Sequence, residues 1–201
     1  MGHELILLSQ LNETELKRLS VLHHSVMHTL LSDLGLPMVL RYYQIARSDT
    51  SVIGIGAISS SNEVLGWAMG SPHPDRINSR LRTPFPWFAL QMLRVMFTRP
   101  LVIGQLISSV FSSSAGMDLK RDAIELTYIG VASGQRGQGL GKDLLNQFIE
   151  TSQENGYQSI VLSVETDNKA AIALYEKSGF KIIQTYSEGR YQRHRMELIL
   201  G

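Results

Sequence analysis

Apolar positions along the chain change spacing several times, and each change predicts an element. A short apolar strand is expected over 4–8. A helix opened by the capping sequence "NETE" should then run from about Asn12 to Leu31. "SVIGIGAIS" and "EVLGWAMG" flank the turn "SSN" and predict a hairpin. After "SPHPDR" comes an apolar segment from Phe85 to Phe111, expected to be helical and interrupted near Pro100. "AIELTYIGV", Ala123 to Val131, is rich in β-branched and apolar residues, as a largely buried strand would be. Beyond a glycine cluster, Leu140, Leu144, Leu145, Phe148 and Ile149 recur at helical spacing. "SIVLSVET" predicts one more strand, and "FKIIQTYS" with "RYQRHRMELIL" a closing hairpin turning at Glu188 and Gly189.

The cluster itself is "SGQRGQGLGK", Ser133 to Lys142. Glycines let main-chain N–H groups approach an anion closely, and a helix start adds its dipole, so a phosphate is the expected ligand. Two nucleotide motifs with the same strand, loop, helix order fail on spacing. The ATP-binding loop needs a glycine where Arg136 stands and a Ser or Thr where Asp143 stands; the dinucleotide fingerprint needs a glycine where Lys142 or Leu144 stands.

The pattern that fits is [Q/R]xxGx[G/A], here "RGQGLG" from Arg136 to Gly141, followed by a strand and by "NKAAIALYEKSGFK", Asn168 to Lys181. With these motifs the region from Ala123 to the C-terminus resembles the GNAT superfamily of N-acetyltransferases. The resemblance implies a mixed α/β (α+β) fold, the GNAT acyl-CoA N-acyltransferase fold, in which a mainly antiparallel sheet is flanked by helices. It implies acetyl-CoA as cosubstrate, with the pyrophosphate held by Arg136, Gly137, Gly139, Gly141 and Lys142 and the amides of Ile129, Gly130 and Val131 facing the pantetheine and the developing oxyanion. Tyr175 takes the position of the family's general acid. Asn168 is either a CoA contact or only a helix cap, and Gly179 is placed to end that helix.

Length and composition suit a single domain over 1–201: 201 residues with 43% hydrophobic content, no linker-like stretch and no internal repeat. The net charge of +1 points to neither nucleic acid nor an acidic surface. The N-terminal residues lack the pattern of a signal peptide, and Ile6 stands where myristoylation would want Ser or Thr, so a cytoplasmic location is expected. The chain has no cysteine, which excludes an acyl-cysteine intermediate and makes direct attack by an amine in a ternary complex the simpler route.

For the general base, Glu125 shares strand parity with Thr127, Ile129 and Val131, so all four are expected on one side. His194 and His73 are rivals. His24 and His28 in "HHSVMH", which also holds His23, have a metal-compatible spacing without a carboxylate, and no metal is expected. The segment 71–118 should be an ordered helical insertion between the third and fourth strands, beside the acceptor mouth or in a homodimer contact. No uninterrupted run of about 18 apolar residues supports a transmembrane segment. Rival functions are a CoA-binding regulatory module without turnover and a membrane-surface acyltransferase. The acceptor, an amine of a small molecule or a peptide terminus, matches no substrate motif.

Overall fold

The computed structural model describes residues 2–98, 119–188 and 191–201. Strand β1 (His3–Leu7) leads through a 3-10 turn into α1 (Glu13–Val26). The "NETE" cap forms as expected: the Asn12 side chain accepts from the N–H groups of Thr14 and Glu15, and the Glu15 carboxylate accepts from the Asn12 N–H at 2.8 Å. The helix is shorter than its apolar spacing predicts. It stops at Val26, Met27 turns extended, and Thr29 caps a separate short helix, α2 (Leu30–Asp33). A further helix follows, α3 (Leu36–Arg47), entered through Gly35 at φ 91° with Pro37 in its first turn.

Strands β2 (Ile53–Ser59) and β3 (Val64–Ser71) form the expected hairpin, with Asn62 in the left-handed region at φ 60°. Two helices then occupy the first part of the insertion: α4 (Pro74–Leu81), which buries Ile77 and Leu81 one turn apart, and α5 (Phe85–Thr98). The remainder of the expected apolar helix, through Pro100 to Phe111, lies outside the described residues. Strand β4 (Ala123–Val131) spans the predicted residues. After a 3-10 turn come α6 (Leu140–Glu154), β5 (Ser159–Glu165), α7 (Lys169–Lys177), β6 (Lys181–Glu188) and β7 (Tyr191–Ile199). Gly179, at φ 94°, closes α7 as expected: the Phe180 N–H returns to the Tyr175 carbonyl at 3.0 Å. The Gly189 turn of the last hairpin lies outside the described residues.

The seven strands form one sheet in the order β1-β2-β3-β4-β5-β7-β6, and only β4 and β5 run parallel. This is the mixed, mainly antiparallel sheet flanked by helices that the motifs imply. On one face Leu144, Leu145 and Phe148 of α6 pack with Ile55, Ala68, Ile124, Leu126, Ile160 and Leu162. On the other, α1, α3, α4 and α5 cover Trp67, Met69 and Tyr128. Phe148 is fully buried between α6 and the sheet; truncating such a side chain typically costs about 3–5 kcal/mol.

Candidate active site

Strand β4 has a continuous partner on one side only. Its pairing with β3 runs to Val131 opposite Gly66, whereas its pairing with β5 stops at Leu126 opposite Leu162. Among the described residues, 127–131 therefore have no strand beside them on the β5 side, where an extended ligand can add as a further strand. Gly130 lets this edge approach its support. A Cβ there would lie 2.6 Å from the Trp67 ring and 3.0 Å from Met27 Cε.

A β-bulge in β4 changes which side chains share a face. Gly70 pairs with Leu126 but Met69 with Tyr128, so Thr127 is the extra residue. Leu126, Ile129 and Val131 consequently belong to the α6 side, while Glu125, opposite Ser71, lies on the face of Tyr128 and Trp67. The expected common side for Glu125, Thr127, Ile129 and Val131 is therefore wrong: alternation predicts faces only while no residue is inserted. Glu125 and the Ile129 and Val131 side chains sit on opposite faces of the strand.

At the far end of the edge the glycine loop enters α6. Gly137 and Gly139 have φ of 75° and 89°, and a Cβ on either would meet nothing within 4 Å. Among the described residues the N–H groups of Gly137, Gln138, Gly139, Leu140 and Gly141 donate to no backbone carbonyl. Such unsatisfied donors at a helix start, with Arg136 and Lys142 exposed beside them, suit a phosphate. Gly141 is more confined, and a Cβ there would touch Val131 and Leu174 at 3.7 Å.

Tyr175 is 6% exposed on α7, belongs to the same core as Ile129 and Val131, and packs its ring 5.8 Å from that of Phe180. Burial pushes its hydroxyl up to about 12. Asn168 is the N-cap of α7, its side-chain oxygen accepting from the Ala171 N–H at 3.2 Å. That engages one lone pair of the oxygen, leaving the amide nitrogen to donate to a ligand.

Glu125 is held in a pair that sequence reading missed. Both of its oxygens accept from Arg195 on β7, at 3.0 and 3.3 Å. Arg195 also donates to Ser163 Oγ at 3.1 Å, and Ser163 accepts from the Tyr186 hydroxyl at 3.0 Å. A signal existed: Arg193, Arg195 and Glu197 alternate along β7 and so share one face. His194 lies opposite Val164, on the α6 side and away from Glu125, with its Nδ1 2.8 Å from Thr185 Oγ1. His73 precedes α4 as its cap residue and is exposed.

His23 occupies the helical side of the sheet. It is fully buried, shares a 2.8 Å hydrogen bond between Nδ1 and the Tyr43 hydroxyl, and meets the Tyr128 ring edge-on at 4.8 Å. Burial, with a smaller contribution from His24, pushes its pKa down to about 4. The unfolded chain, titrating near 6.5, binds the proton more readily, so stability is complete above that pH and declines as pH falls towards about 4. The expected loss across this window is about 3 kcal/mol. Urea unfolding of wild type and His23→Gln at pH 7 and pH 4.5 checks it, since the variant should lose less stability than wild type. Among the described residues no group of three or more His, Cys, Asp or Glu is arranged to hold a metal ion.

Comparison with known proteins gives the family and the fold. The model of the acetyltransferase (GNAT) family matches residues 22–180, and the chain belongs to that family. The mycothiol acetyltransferase of Jonesia denitrificans is 26% identical over 147 residues, which is 73% of this chain and 46% of that protein. The chain spans less than half the length of the curated relatives it matches. Two solved structures share the fold. The ribosomal-protein-S18-alanine N-acetyltransferase of Escherichia coli is 16% identical with a TM-score of 0.62, covering 100% of this chain and 95% of that one. A Salmonella typhimurium acetyltransferase solved with its cofactor acetyl-CoA is 15% identical with a TM-score of 0.64, also covering 100% and 95%.

Proposed function

We propose that this chain transfers the acetyl group of acetyl-CoA to a primary amine of a small molecule or a peptide terminus, by direct attack within a ternary complex. One feature of the backbone supports this above all: β4 leaves β5 after Leu126, and the free edge leads to unpaired loop amides at the start of α6. An extended pantetheine followed by a pyrophosphate has that order of chemistry. A relative solved with acetyl-CoA lends weight to the choice of cosubstrate.

In the proposed reaction the amine nitrogen attacks the thioester carbonyl, and the oxyanion is met by main-chain N–H groups around Ile129 to Val131. The C–S bond then breaks, CoA leaves as the thiolate and takes its proton from water, and the amine loses one proton. Tyr175 donates a hydrogen bond to that sulfur. With its hydroxyl at about 12 and a thiol near 8.5, full proton transfer from Tyr175 would run uphill by about 5 kcal/mol, so its contribution is the hydrogen bond itself. The amine's proton goes through a water to a remaining lone pair of a Glu125 oxygen, each oxygen already accepting one N–H from Arg195.

A base engaged in this way favours an acceptor that needs little help. An α-amine, with pKa near 8, is substantially neutral at physiological pH, whereas a lysine amine near 10.4 is not. Terminal α-amines and small amines of similar basicity are therefore the proposed acceptors. Mixing the protein with acetyl-CoA and a panel of peptides, amino acids and amino sugars, and following thiol release, tests this. Release above the rate of hydrolysis is expected for some low-pKa amines. Its absence for every amine, with acetyl-CoA bound, would favour the regulatory module. Glu125→Gln should lower kcat/KM about tenfold, with the deficit shrinking as pH rises and the acceptor loses its own proton.

A further inference from the structure

Helix α5 is apolar on both sides. Its inner side packs Trp87, Phe88 and Met92 on the helical core and buries Val95. Its outer side carries Leu90, Leu93 and Phe97 at spacings of three and four, flanked by Phe85 and Met96, and all five are exposed; Phe85 is 71% and Phe97 76% accessible. Isolated exposed apolar residues need no explanation, but a continuous stripe along a helix does. Charge narrows the choice of what meets it. From residue 74 to residue 98, the span of α4 and α5, the chain has Arg76, Arg80, Arg82 and Arg94 against one acid, Asp75, although the whole protein is nearly neutral. Arg94 lies next to Leu93 on the outer side of α5, and Arg82 is the cap residue of α4 three positions before Phe85. Arg76 and Arg82 are exposed, while Arg80 reaches Asp49 at 3.3 Å.

We propose that the outer face of α5, with Arg94 on it and Arg82 shortly before it in the chain, forms a docking surface for an anionic phospholipid membrane. An apolar stripe bordered by cations matches the boundary between lipid headgroups and acyl chains, where such a helix lies with its apolar side inserted about 5–10 Å. A second copy of the chain fits less well, because a two-fold contact through this face would bring the arginines of both copies together. The helix lies on the membrane rather than crossing it. Among the described residues no helix is long and apolar enough to cross a membrane.

The proposal is independent of the acetyl-transfer chemistry and is tested without it. The whole chain is sedimented with vesicles of phosphatidylcholine alone and of phosphatidylcholine with about one-third phosphatidylserine, at low and at about 0.5 M salt. Co-sedimentation is expected with the anionic vesicles at low salt, falling at least about tenfold without phosphatidylserine or at high salt. The variants Leu93→Ser/Phe97→Ser and Arg82→Gln change only exposed side chains and should keep the wild-type melting temperature while binding vesicles about tenfold and about fivefold less, respectively. Wild type that stays in the supernatant with anionic vesicles would overturn the proposal. So would variants that bind as wild type does, or a dimer in sedimentation velocity that the Leu93→Ser/Phe97→Ser variant converts to monomer.

Discussion

Tyr175→Phe is expected to lower turnover about a hundredfold while changing acetyl-CoA affinity by less than about threefold. The substitution removes one oxygen from a ring that is 6% exposed and packed against Phe180, so the packing of α7 is preserved. What disappears is the only O–H on that ring, and with it the hydrogen bond proposed to meet the leaving sulfur. A hundredfold loss corresponds to about 2.7 kcal/mol, the size of one strong hydrogen bond to a developing charge in a water-poor site. The same burial that makes Tyr175 a weak acid keeps its hydroxyl protonated at every pH where an amine acceptor is reactive. The pH–rate profile of the wild type should accordingly rise with the neutral fraction of the acceptor and show no fall attributable to Tyr175 below about pH 11. Steady-state kinetics with calorimetric affinities separate the two effects. Wild-type turnover in a folded Tyr175→Phe protein would remove this residue from the reaction.

Gly139→Asp is expected to weaken acetyl-CoA binding by at least about a hundredfold, for two reasons that can be separated. Gly139 stands before α6 at φ 89°, where an L side chain costs about 1–2 kcal/mol. Asp ordinarily favours a helix N-cap, but in an extended conformation that this backbone does not have. The carboxylate would also stand among N–H groups proposed to hold a pyrophosphate. Gly139→Asn has nearly the same shape, tolerates positive φ better and carries no charge. It should lose affinity by only about tenfold, and the gap between the two variants measures the repulsion. Equal losses would mean that conformation alone matters at this position.

Much of the fold was legible because its strongest signals are local. Strand β4, the β2–β3 hairpin, the glycine entry into α6 and the Gly179 exit from α7 each follow from spacing or from one required backbone conformation. The misses were of three kinds. Helix α3, marked by Gly35, Pro37 and a helical run of Met38, Val39, Tyr42, Tyr43 and Ala46, lies beyond Leu31 in a stretch for which no element was expected. At the break Met27 is extended and its Cε lies over Gly130 beside the Trp67 ring, a contact between residues far apart in the chain. The bulge at Thr127 was invisible to alternation and reversed the face assigned to Glu125.

At the candidate site the backbone parts were readable and the side-chain network was not. Gly137, Gly139, Arg136 and Asn168 belong to one contiguous motif, whereas the clamp on Glu125 joins residues 70 positions apart through the order of β4, β5 and β7. The insertion shows the same division. Trp87, Phe88 and Met92 extend the core, and the outer side of α5, expected at an acceptor mouth or a dimer contact, carries the arginine-bordered apolar stripe.

The central claim is that acetyl-CoA lies along the free edge of β4 with its pyrophosphate on the start of α6. Following the backbone amides of the isotopically labelled chain by NMR during titration with acetyl-CoA tests it directly. The prediction is one saturable site per chain, with the largest shifts at Ile129, Gly130 and Val131 and at the amides of residues 137–141, absent from Gly139→Asp under the same conditions. Binding that leaves those amides unmoved, with its largest shifts elsewhere in the chain, would contradict it.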